Sequence, residues 1–283
     1  MTFSIATPVR NGLAALKRCA GSVRAQRGVP HQHLVQDGLS EDGTSEWLAR
    51  QPDIDSETRP DNGMYAAINR AWDRASGDVL SWLNADEQYL PGTLERVASA
   101  FATHPAVDAV WGNAIVVSPD GHPLAARRDI PLRRLYVANG VLYAFSCTLF
   151  FRRSLRVSGV LACDESYRVC GDADLVLRLL EAGTTFLHLK TYLSLFEWSG
   201  ANLTSSRRAL MLEETERLRD THGSLAPCGR AVVRVLRCAE RMLSGCWLPD
   251  RIDYDYCLDE VPTVVRRSGT RVGFRFSARP PRG

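Results

Sequence analysis

The sequence predicts an α/β fold in which a mostly parallel sheet is flanked by helices and followed by a C-terminal helical extension. Three short apolar segments, at 3–6, 33–36 and 79–83, are typical of buried strands. Segments of helical length separate them, with apolar residues gathered on one face. Strands that alternate with helices in this way indicate a sheet whose strands run mostly parallel.

The first two predicted strands each end in a polar loop. Residues 3–6, FSIA, are followed by TPVRNG, whose proline and glycine predict a loop. A helix is expected over about 13–26, because its apolar residues share one face: Leu13, Leu16, Cys19, Ala20 and Val23. The second strand, HLVQ at 33–36, runs into the loop DGLSEDGT.

The segment 61–91 contains a turn, an amphipathic helix, a glycine break, the strand VLSWL and then the acidic cluster NADE. The carboxyl ends of parallel strands meet at one edge of an open sheet, where ligands bind. The loops that carry Thr7, Asp37 and Asp86 should therefore lie together. A carboxylate at this edge can hold a divalent cation against a phosphate. Alternatively, the acidic loop caps the helix predicted to start near Pro91.

Five segments, taken together, resemble the family 2 glycosyltransferases, which are nucleotide-sugar enzymes with the Rossmann-like GT-A fold. They are TPVRN, QDGLSEDGT, DNGMYAAINRAWDRASGDVLSWLNADEQYLPG, FSCTLFFRRSL and GDADLVLRLLEAG, in family order over roughly 3–204. The pattern is most similar to bacterial members that build surface polysaccharides. It implies a GT-A nucleotide-sugar-binding and catalytic domain at 1–204, followed by a C-terminal helical extension and tail at 205–283.

The resemblance also implies roles for individual residues. Asp172 matches the catalytic base, and Asp86 matches the carboxylate that binds a divalent metal, Mg or Mn. Thr7 and Asp37 would contact the base and ribose of the nucleotide. The full set of expected nucleotide-sugar contacts is Thr7, Pro8, Arg10, Asp37, Asp61, Gly63, Asn69, Asn84 and Ala85. The expected partners are a nucleoside-diphosphate sugar as donor and a saccharide or lipid-linked saccharide as acceptor.

Family chemistry explains these residue types. The leaving diphosphate gains negative charge in the transition state, which a metal ion stabilises as a Lewis acid. The attacking hydroxyl must lose a proton, which a carboxylate within hydrogen-bond reach can accept. In the family, the sugar is transferred in a single displacement with inversion at the anomeric carbon.

A strand is predicted over 145–152, and a helix is predicted to start at Gly171. Two acids, Asp172 and Asp174, fall in the first turn of this helix. The helix dipole favours carboxylates there whether or not they take part in chemistry. The family pattern assigns the catalytic role to Asp172, and we expect Asp174 to pair with Arg178, four residues on. His188, after an apolar strand, is either a further metal contact or a half-buried structural residue.

Three positions depart from the family pattern. Asn84 and Glu87 stand where relatives usually carry Asp, and Ala66 stands where close relatives often carry Asp. These departures leave open a catalytically idle sugar-binding protein. A nucleotidyltransferase of similar fold is a second alternative, although it should show a glycine-rich N-terminal phosphate loop with a basic residue instead of TPVRNG.

Composition excludes several classes of protein. The net charge of +3 is too small to indicate nucleic-acid binding. The sequence has no apolar run of about 18 residues and opens on a strand, so neither a transmembrane helix nor a signal peptide is expected. The 8 cysteines form no CxxC pair, which suits a reducing compartment. We therefore predict a cytoplasmic protein, with the inner face of the cell membrane as a further possibility.

Two helices are predicted in the C-terminal extension, at 207–221 and 229–243. The second is basic and amphipathic, with four arginines and one glutamate. Such a helix can lie on an anionic membrane surface. It can also pack on the catalytic domain or on a partner subunit of a homo-oligomer. Strand-like pieces at 262–265 and 271–276 precede a tail, PPRG, that is expected to be disordered.

Overall fold

The computed structural model describes residues 1–140, 142–200, 202, 207–260 and 264–273. The strands are β1 Phe3–Val9, β2 His31–Asp37, β3 Ile54–Thr58, β4 Val79–Trp82, β5 Glu87–Tyr89, β6 Ala109–Val117, β7 Pro123–Arg127, β8 Leu149–Arg152, β9 Phe186–Glu197, β10 Asp250–Cys257 and β11 Val264–Val272. The helices are α1 Leu13–Arg24, α2 Thr44–Leu48, α3 Met64–Asp73, α4 Thr93–Thr103, α5 Arg134–Ala138, α6 Ser154–Val157, α7 Gly171–Glu181, α8 Arg208–Thr221 and α9 Pro227–Leu243, with a 3₁₀ turn at Ser146–Thr148.

A nine-stranded sheet forms the centre of the molecule. Its order is β3-β2-β1-β4-β8-β6-β9-β5, and β7 pairs with β6 at the side. The strands β1 to β4 are mutually parallel, and β6 and β9 run in the same direction. The strands β5, β7 and β8 run the opposite way. The predicted α/β fold with a mostly parallel sheet is confirmed.

Helices cover both faces of the sheet, and neighbouring residues of one strand point to opposite sides. Phe151 packs with Trp72 of α3 and Trp82 of β4 in one hydrophobic cluster, while Phe150 packs with Phe3 and residues of α1 and α4 in another. Burial on both faces explains why the central strands read as continuous apolar runs in the sequence.

Two predicted boundaries were wrong. The loop expected from Thr7 is strand as far as Val9, because residues 7–9 continue the parallel pairing with 35–37 of β2 and are fully or nearly buried. The strand expected from Phe145 begins only at Leu149. Before it, the amide and the hydroxyl of Thr148 both donate to the carbonyl oxygen of Phe145, at 2.9 and 2.8 Å, and close a turn.

The C-terminal extension begins with the two predicted helices and ends in strands. Residues 264–265 and 271–272 of the predicted strand-like pieces lie in β11, whereas β10 was not predicted. After α8 and α9, β10 and β11 form an antiparallel two-stranded ribbon. Ile252, Tyr254 and Tyr256 of the ribbon pack on residues of β6, β7 and β9. The amide of Cys257 donates a hydrogen bond of 2.9 Å to Oε1 of Gln88, and Nε2 of Gln88 donates one of 3.2 Å to the carbonyl oxygen of Cys257. The ribbon therefore holds the end of the extension against the main sheet.

Some predictions fall on residues that the structure does not describe. The predicted domain boundary at 204, the strand-like residues 262–263 and 274–276 and the PPRG tail all lie outside the described residues. In the part of the chain that is described, no helix combines the length and apolar character needed to cross a membrane.

Candidate active site

A cleft of about 550 Å³ opens at the carboxyl ends of β1 and β4. Asp86 and Asp172, which lie far apart in the sequence, both line it. The predicted site residues that line the cleft are Pro8, Arg10, Asp61, Gly63, Asn84, Ala85, Asp86 and Asp172. The cleft forms because β1 and β4 are adjacent parallel strands whose following loops diverge.

Three predicted site residues do not line the cleft. Thr7 is fully buried, and its hydroxyl lies 2.9 Å from Nε2 of His33. Asp37 is also buried, and its carboxylate accepts hydrogen bonds from the amide and hydroxyl of Ser40. Asn69 binds the backbone of Cys163 through both its amide oxygen and its amide nitrogen, at 2.9 Å each. In this structure the polar groups of these side chains bind other residues of the protein, and their contact with a nucleotide stays a prediction.

The loop after β2 packs against Asp61, a residue of the segment between β3 and α3 that lines the cleft. Gly38 makes this approach possible, because a Cβ atom at that position would lie only 2.7 Å from Oδ2 of Asp61. Oδ1 of Asp61 accepts a hydrogen bond of 2.8 Å from the amide of Gly63, which has a φ of 107° at the start of α3. Glycine tolerates such a left-handed conformation, so this turn favours glycine at position 63.

Asp86 is a half-buried carboxylate in a negatively charged part of the cleft. Burial is the main cause that raises the pKa of Asp86 above its usual range, and the neighbouring charge of Glu197 raises it further. Arg18, which pairs with Glu197 at 2.8 Å, partly offsets this. The unbalanced negative charge favours a positive ion beside Asp86.

Glu87, the other acid of the cluster, has a different position. It is buried, and its Oε2 accepts a hydrogen bond of 2.8 Å from the amide of Asn84. Burial, and then the charge of Asp86, raise the pKa of Glu87. Glu87 therefore stabilises the loop, while Asp86 faces the cleft. The side-chain oxygen Oδ1 of Asn84 is buried and has no hydrogen-bond partner among the described residues.

The cleft residues fit a divalent metal of the hard type. Asp86 supplies a carboxylate oxygen and Asn84 an unpartnered amide oxygen, and hard cations prefer oxygen ligands. Among the described residues, no cluster of three His, Cys, Asp or Glu side chains forms a complete metal cage. Mg²⁺ is often held by one or two carboxylates together with substrate phosphates, which is compatible with such a small ligand set.

Asp172 lies in the first turn of α7, as predicted. Its backbone amide donates a hydrogen bond of 3.2 Å to the hydroxyl oxygen of Tyr65, which itself donates to the carbonyl oxygen of Val169 at 3.0 Å. Gly171 leaves room for this contact, because a Cβ atom there would lie 2.6 Å from the Tyr65 ring. Burial raises the pKa of the Asp172 carboxyl to about 6.

A carboxylate that the sequence reasoning missed holds the loop before Asp172. Glu214 of α8 is buried and accepts three backbone hydrogen bonds, from the amides of Arg168, Val169 and Cys170 at 2.6, 2.9 and 2.8 Å. Hydrogen bonds to a charged group contribute more than neutral ones. The helical extension thus fixes the backbone that leads into α7. No sequence pattern distinguishes Glu214, because it is one of several acids on a charged helix.

Replacing Glu214 by Gln should loosen this loop, because Gln keeps only one acceptor oxygen and loses the charge. We expect a loss of about 1–3 kcal/mol in the free energy of unfolding and a lower kcat. The matched control is Glu213→Gln, since Glu213 is the exposed neighbour on the same helix. Denaturant unfolding and steady-state kinetics of both variants check this, and equal effects of the two substitutions would contradict the role of Glu214.

Basic side chains line the cleft as well. Arg10, Arg168 and Arg207 all border it, and the sequence reasoning had singled out only Arg10. Arg168 also donates to the carbonyl oxygens of Glu165 and Tyr167, at 2.6 and 3.2 Å, so its position is fixed by its own loop. Arginines at a cleft of this kind can bind phosphate oxygens.

Two other expectations can be compared with the structure. Asp174 pairs with Arg178 at 2.7 Å, as predicted, and also lies 3.2 Å from Nε2 of the buried His222. His188 stacks on Trp111, and its Nε2 lies 3.1 Å from Oδ1 of Asn113. It does not line the cleft, and burial lowers its pKa to about 4. The half-buried structural interpretation of His188 therefore agrees with its surroundings.

The fold and the cleft define an α/β enzyme whose ligands bind at the strand ends of the sheet. The model of the family described as "Glycosyl transferase family 2" matches residues 4–159, and the chain belongs to this family. The protein is a glycosyltransferase with a GT-A fold.

The chain is similar to several known proteins. It is 31% identical to a PGL/p-HBAD biosynthesis glycosyltransferase of Mycobacterium bovis over 184 aligned residues. The alignment covers 62% of this chain and 68% of that protein. Its fold matches Staphylococcus aureus TarS 1–349 in complex with UDP-GlcNAc, with a TM-score of 0.58 and 13% identity over 93% of this chain and 99% of that one. It also matches the mannosyltransferase PcManGT of Pyrobaculum calidifontis in complex with GDP-Man and Mn²⁺, with a TM-score of 0.57 and 16% identity over 83% of this chain and 68% of that one.

Proposed function

We propose that the protein transfers a sugar from a nucleoside-diphosphate sugar to a hydroxyl group, with a divalent metal as cofactor and inversion at the anomeric carbon. The acceptor is a saccharide or a lipid-linked saccharide in polysaccharide or glycolipid biosynthesis. The observation that carries the proposal is that Asp86 and Asp172 face one cleft that is also bordered by arginines.

The donor binds at the end of the cleft formed by β1, β4 and Asp61. Asp86 and Asn84 hold the cation, and Arg10 and Arg168 bind phosphate oxygens of the donor. When bound, Mg²⁺ or Mn²⁺ supplies Lewis-acid stabilisation for the leaving diphosphate. A relative in fold binds GDP-Man together with Mn²⁺, and another binds UDP-GlcNAc, which supports a nucleotide-sugar donor here.

The acceptor binds at the end of the cleft where α7 begins. Asp172 accepts the proton of the attacking hydroxyl, and Tyr65, Gly171 and Glu214 hold the backbone that leads into it. Because burial raises the pKa of Asp172 to about 6, its carboxylate is ionised at neutral pH yet basic enough to take a proton. A single displacement with one general base inverts the anomeric carbon.

Turnover of a panel of nucleotide sugars with Mn²⁺ or Mg²⁺ tests this function. We expect hydrolysis or transfer with at least one donor, dependent on metal and abolished by a chelator. Transfer of a nucleotidyl group with release of pyrophosphate would indicate a nucleotidyltransferase instead. The absence of turnover with every donor, combined with the absence of metal-dependent nucleotide binding, would favour an idle sugar-binding protein.

The pH dependence of kcat/KM should follow the ionisation of the Asp172 carboxyl group. Its folded-state pKa of about 6 is raised from 3.8, so the carboxylate loses its charge as the pH falls through 6. With saturating metal, kcat/KM should be constant above this range and fall about tenfold per pH unit below it. Initial rates across this range, with thermal midpoints to exclude unfolding, check the prediction. A profile that stays flat down to about pH 4 would contradict it.

The predicted cytoplasmic location and the possible homo-oligomer remain part of this proposal. Size-exclusion chromatography with light scattering measures the oligomeric state directly.

A further inference from the structure

The helix α9 is amphipathic in an inverted sense. The side that packs on the protein is mostly polar, with Val233 as its buried apolar residue. Arg237 pairs with Asp129 at 3.0 Å, and Glu240 accepts hydrogen bonds from Arg133 and Tyr136 at 2.7 and 2.6 Å. The opposite side carries exposed apolar or small residues, namely Cys228, Ala231, Val232, Val235, Leu236, Cys238, Ala239, Met242 and Leu243.

The helical period explains this division. At about 100° per residue, the outward residues fall in one continuous sector that contains no charged side chain. Val235 is 68% exposed and Leu243 is 84% exposed, with Leu248 beyond the helix 66% exposed. Seventeen residues form a helix about 25 Å long. A continuous exposed apolar strip of this length indicates a surface that is covered when the protein works.

Beside this strip lies a basic cavity of about 340 Å³. Four arginines line it, Arg219, Arg230, Arg234 and Arg237, and no carboxylate is found among its described lining residues. Arg219 pairs with Glu216 and Arg237 with Asp129 through their terminal nitrogens, whereas Arg230 and Arg234 form no ion pair with the described residues. The Nε–H groups of Arg219 and Arg237 are buried without a hydrogen-bond acceptor among the described residues. Buried donors of this kind require an acceptor, and a phosphate group supplies several oxygens.

We propose that the outward face of α9 docks on an anionic membrane surface, with the arginine-lined cavity receiving a lipid phosphate. Apolar side chains enter the acyl boundary while the flanking arginines bind anionic headgroups, which is how basic amphipathic helices lie on membranes. The proposal goes beyond the sugar transfer and does not depend on it.

A second copy of the chain fits the same face less well. Two outward faces of α9 would cover each other's apolar residues, but this face brings no acidic side chain to the arginines beside it. The cavity would remain without an anion, and Arg234 of each copy would add like charge to the contact. An anionic bilayer satisfies both the apolar strip and the arginines.

The docked face is connected to the active site through helices. The helix α9 contacts α5, and α5 contacts α7, whose first turn carries Asp172.

Vesicle flotation with the full chain tests the docking surface. Vesicles of phosphatidylcholine alone are compared with vesicles in which roughly a quarter of the lipid is phosphatidylglycerol. We expect binding to the anionic vesicles that weakens at high salt, and weak binding to the neutral ones. The Val235→Glu variant should bind the anionic vesicles at least about tenfold more weakly, because the substitution removes an apolar side chain that the membrane would bury and adds a negative charge. The Arg234→Gln variant should bind about fivefold more weakly to the anionic vesicles.

The matched control is Val157→Glu, because Val157 is an equally exposed valine, at 79%, on the distant helix α6. It should bind vesicles as the unaltered protein does. Since Val235 and Val157 are both exposed, neither substitution should lower the thermal midpoint. Absence of binding to anionic vesicles, or equal loss in both valine variants, would overturn the proposal. A dimer in solution that Val235→Glu converts to monomer, without vesicle binding, would assign the face to a second copy instead.

Discussion

Asp172→Asn should lower kcat by about 10²–10⁴-fold, because the amide cannot accept a proton from the attacking hydroxyl. The variant should still bind the donor, since Asp172 lies at the end of the cleft where α7 begins. Steady-state transfer assays and nucleotide binding of the purified variant measure both effects.

The thermal midpoint of Asp172→Asn distinguishes the loss of a catalytic base from damage to the fold. Asp172 has a raised folded-state pKa, so ionising it costs stability as the pH rises from about 4 to about 6, and that cost is fully present at neutral pH. Removing the charge should leave the thermal midpoint unchanged or higher. The matched control is Asp220→Asn, an exposed acid on α8. Full activity in Asp172→Asn would exclude it as the base, and a large fall in its thermal midpoint would contradict the described surroundings.

Asp86→Ala should abolish the response of the enzyme to metal. We expect kcat/KM to fall by at least about 10²–10³-fold, the range found when one group that stabilises developing negative charge is removed. The remaining activity should be the same with and without Mn²⁺. Titrating activity against metal concentration for both proteins provides the measurement, with the surface variant Asp120→Ala as a control. An unchanged metal dependence in Asp86→Ala would place the cation elsewhere.

The cleft could be predicted from the sequence because strand ends carry its main residues. Asp86 follows the buried strand VLSW, and the order of parallel strands brings that end beside the end of β1. Asp172 was placed by the family pattern and by a helix that starts at Gly171. The position of Asp86 follows from local periodicity, which is read from the sequence without the tertiary structure, whereas the role of Asp172 rests on the resemblance to the family.

Other features depend on tertiary contacts and could not be predicted. Thr7 and Asn69 were expected at the nucleotide, yet their polar atoms are used by His33 and by the backbone of Cys163. Glu214 became part of the site only because α8 packs beside the loop that precedes α7. The inverted orientation of α9 was also hidden, since its periodicity shows two faces but not which of them meets the protein.

In the proposed mechanism, Asp86 acts on the donor and Asp172 on the acceptor within one cleft. Calorimetric titration of the matching nucleoside diphosphate, with and without Mn²⁺, separates these roles in the unaltered protein, Asp86→Ala and Asp172→Asn. Metal-dependent binding should be retained in Asp172→Asn and should be lost or become metal-independent in Asp86→Ala. Equal weakening in both variants, or binding that ignores metal in the unaltered protein, would contradict this mechanism.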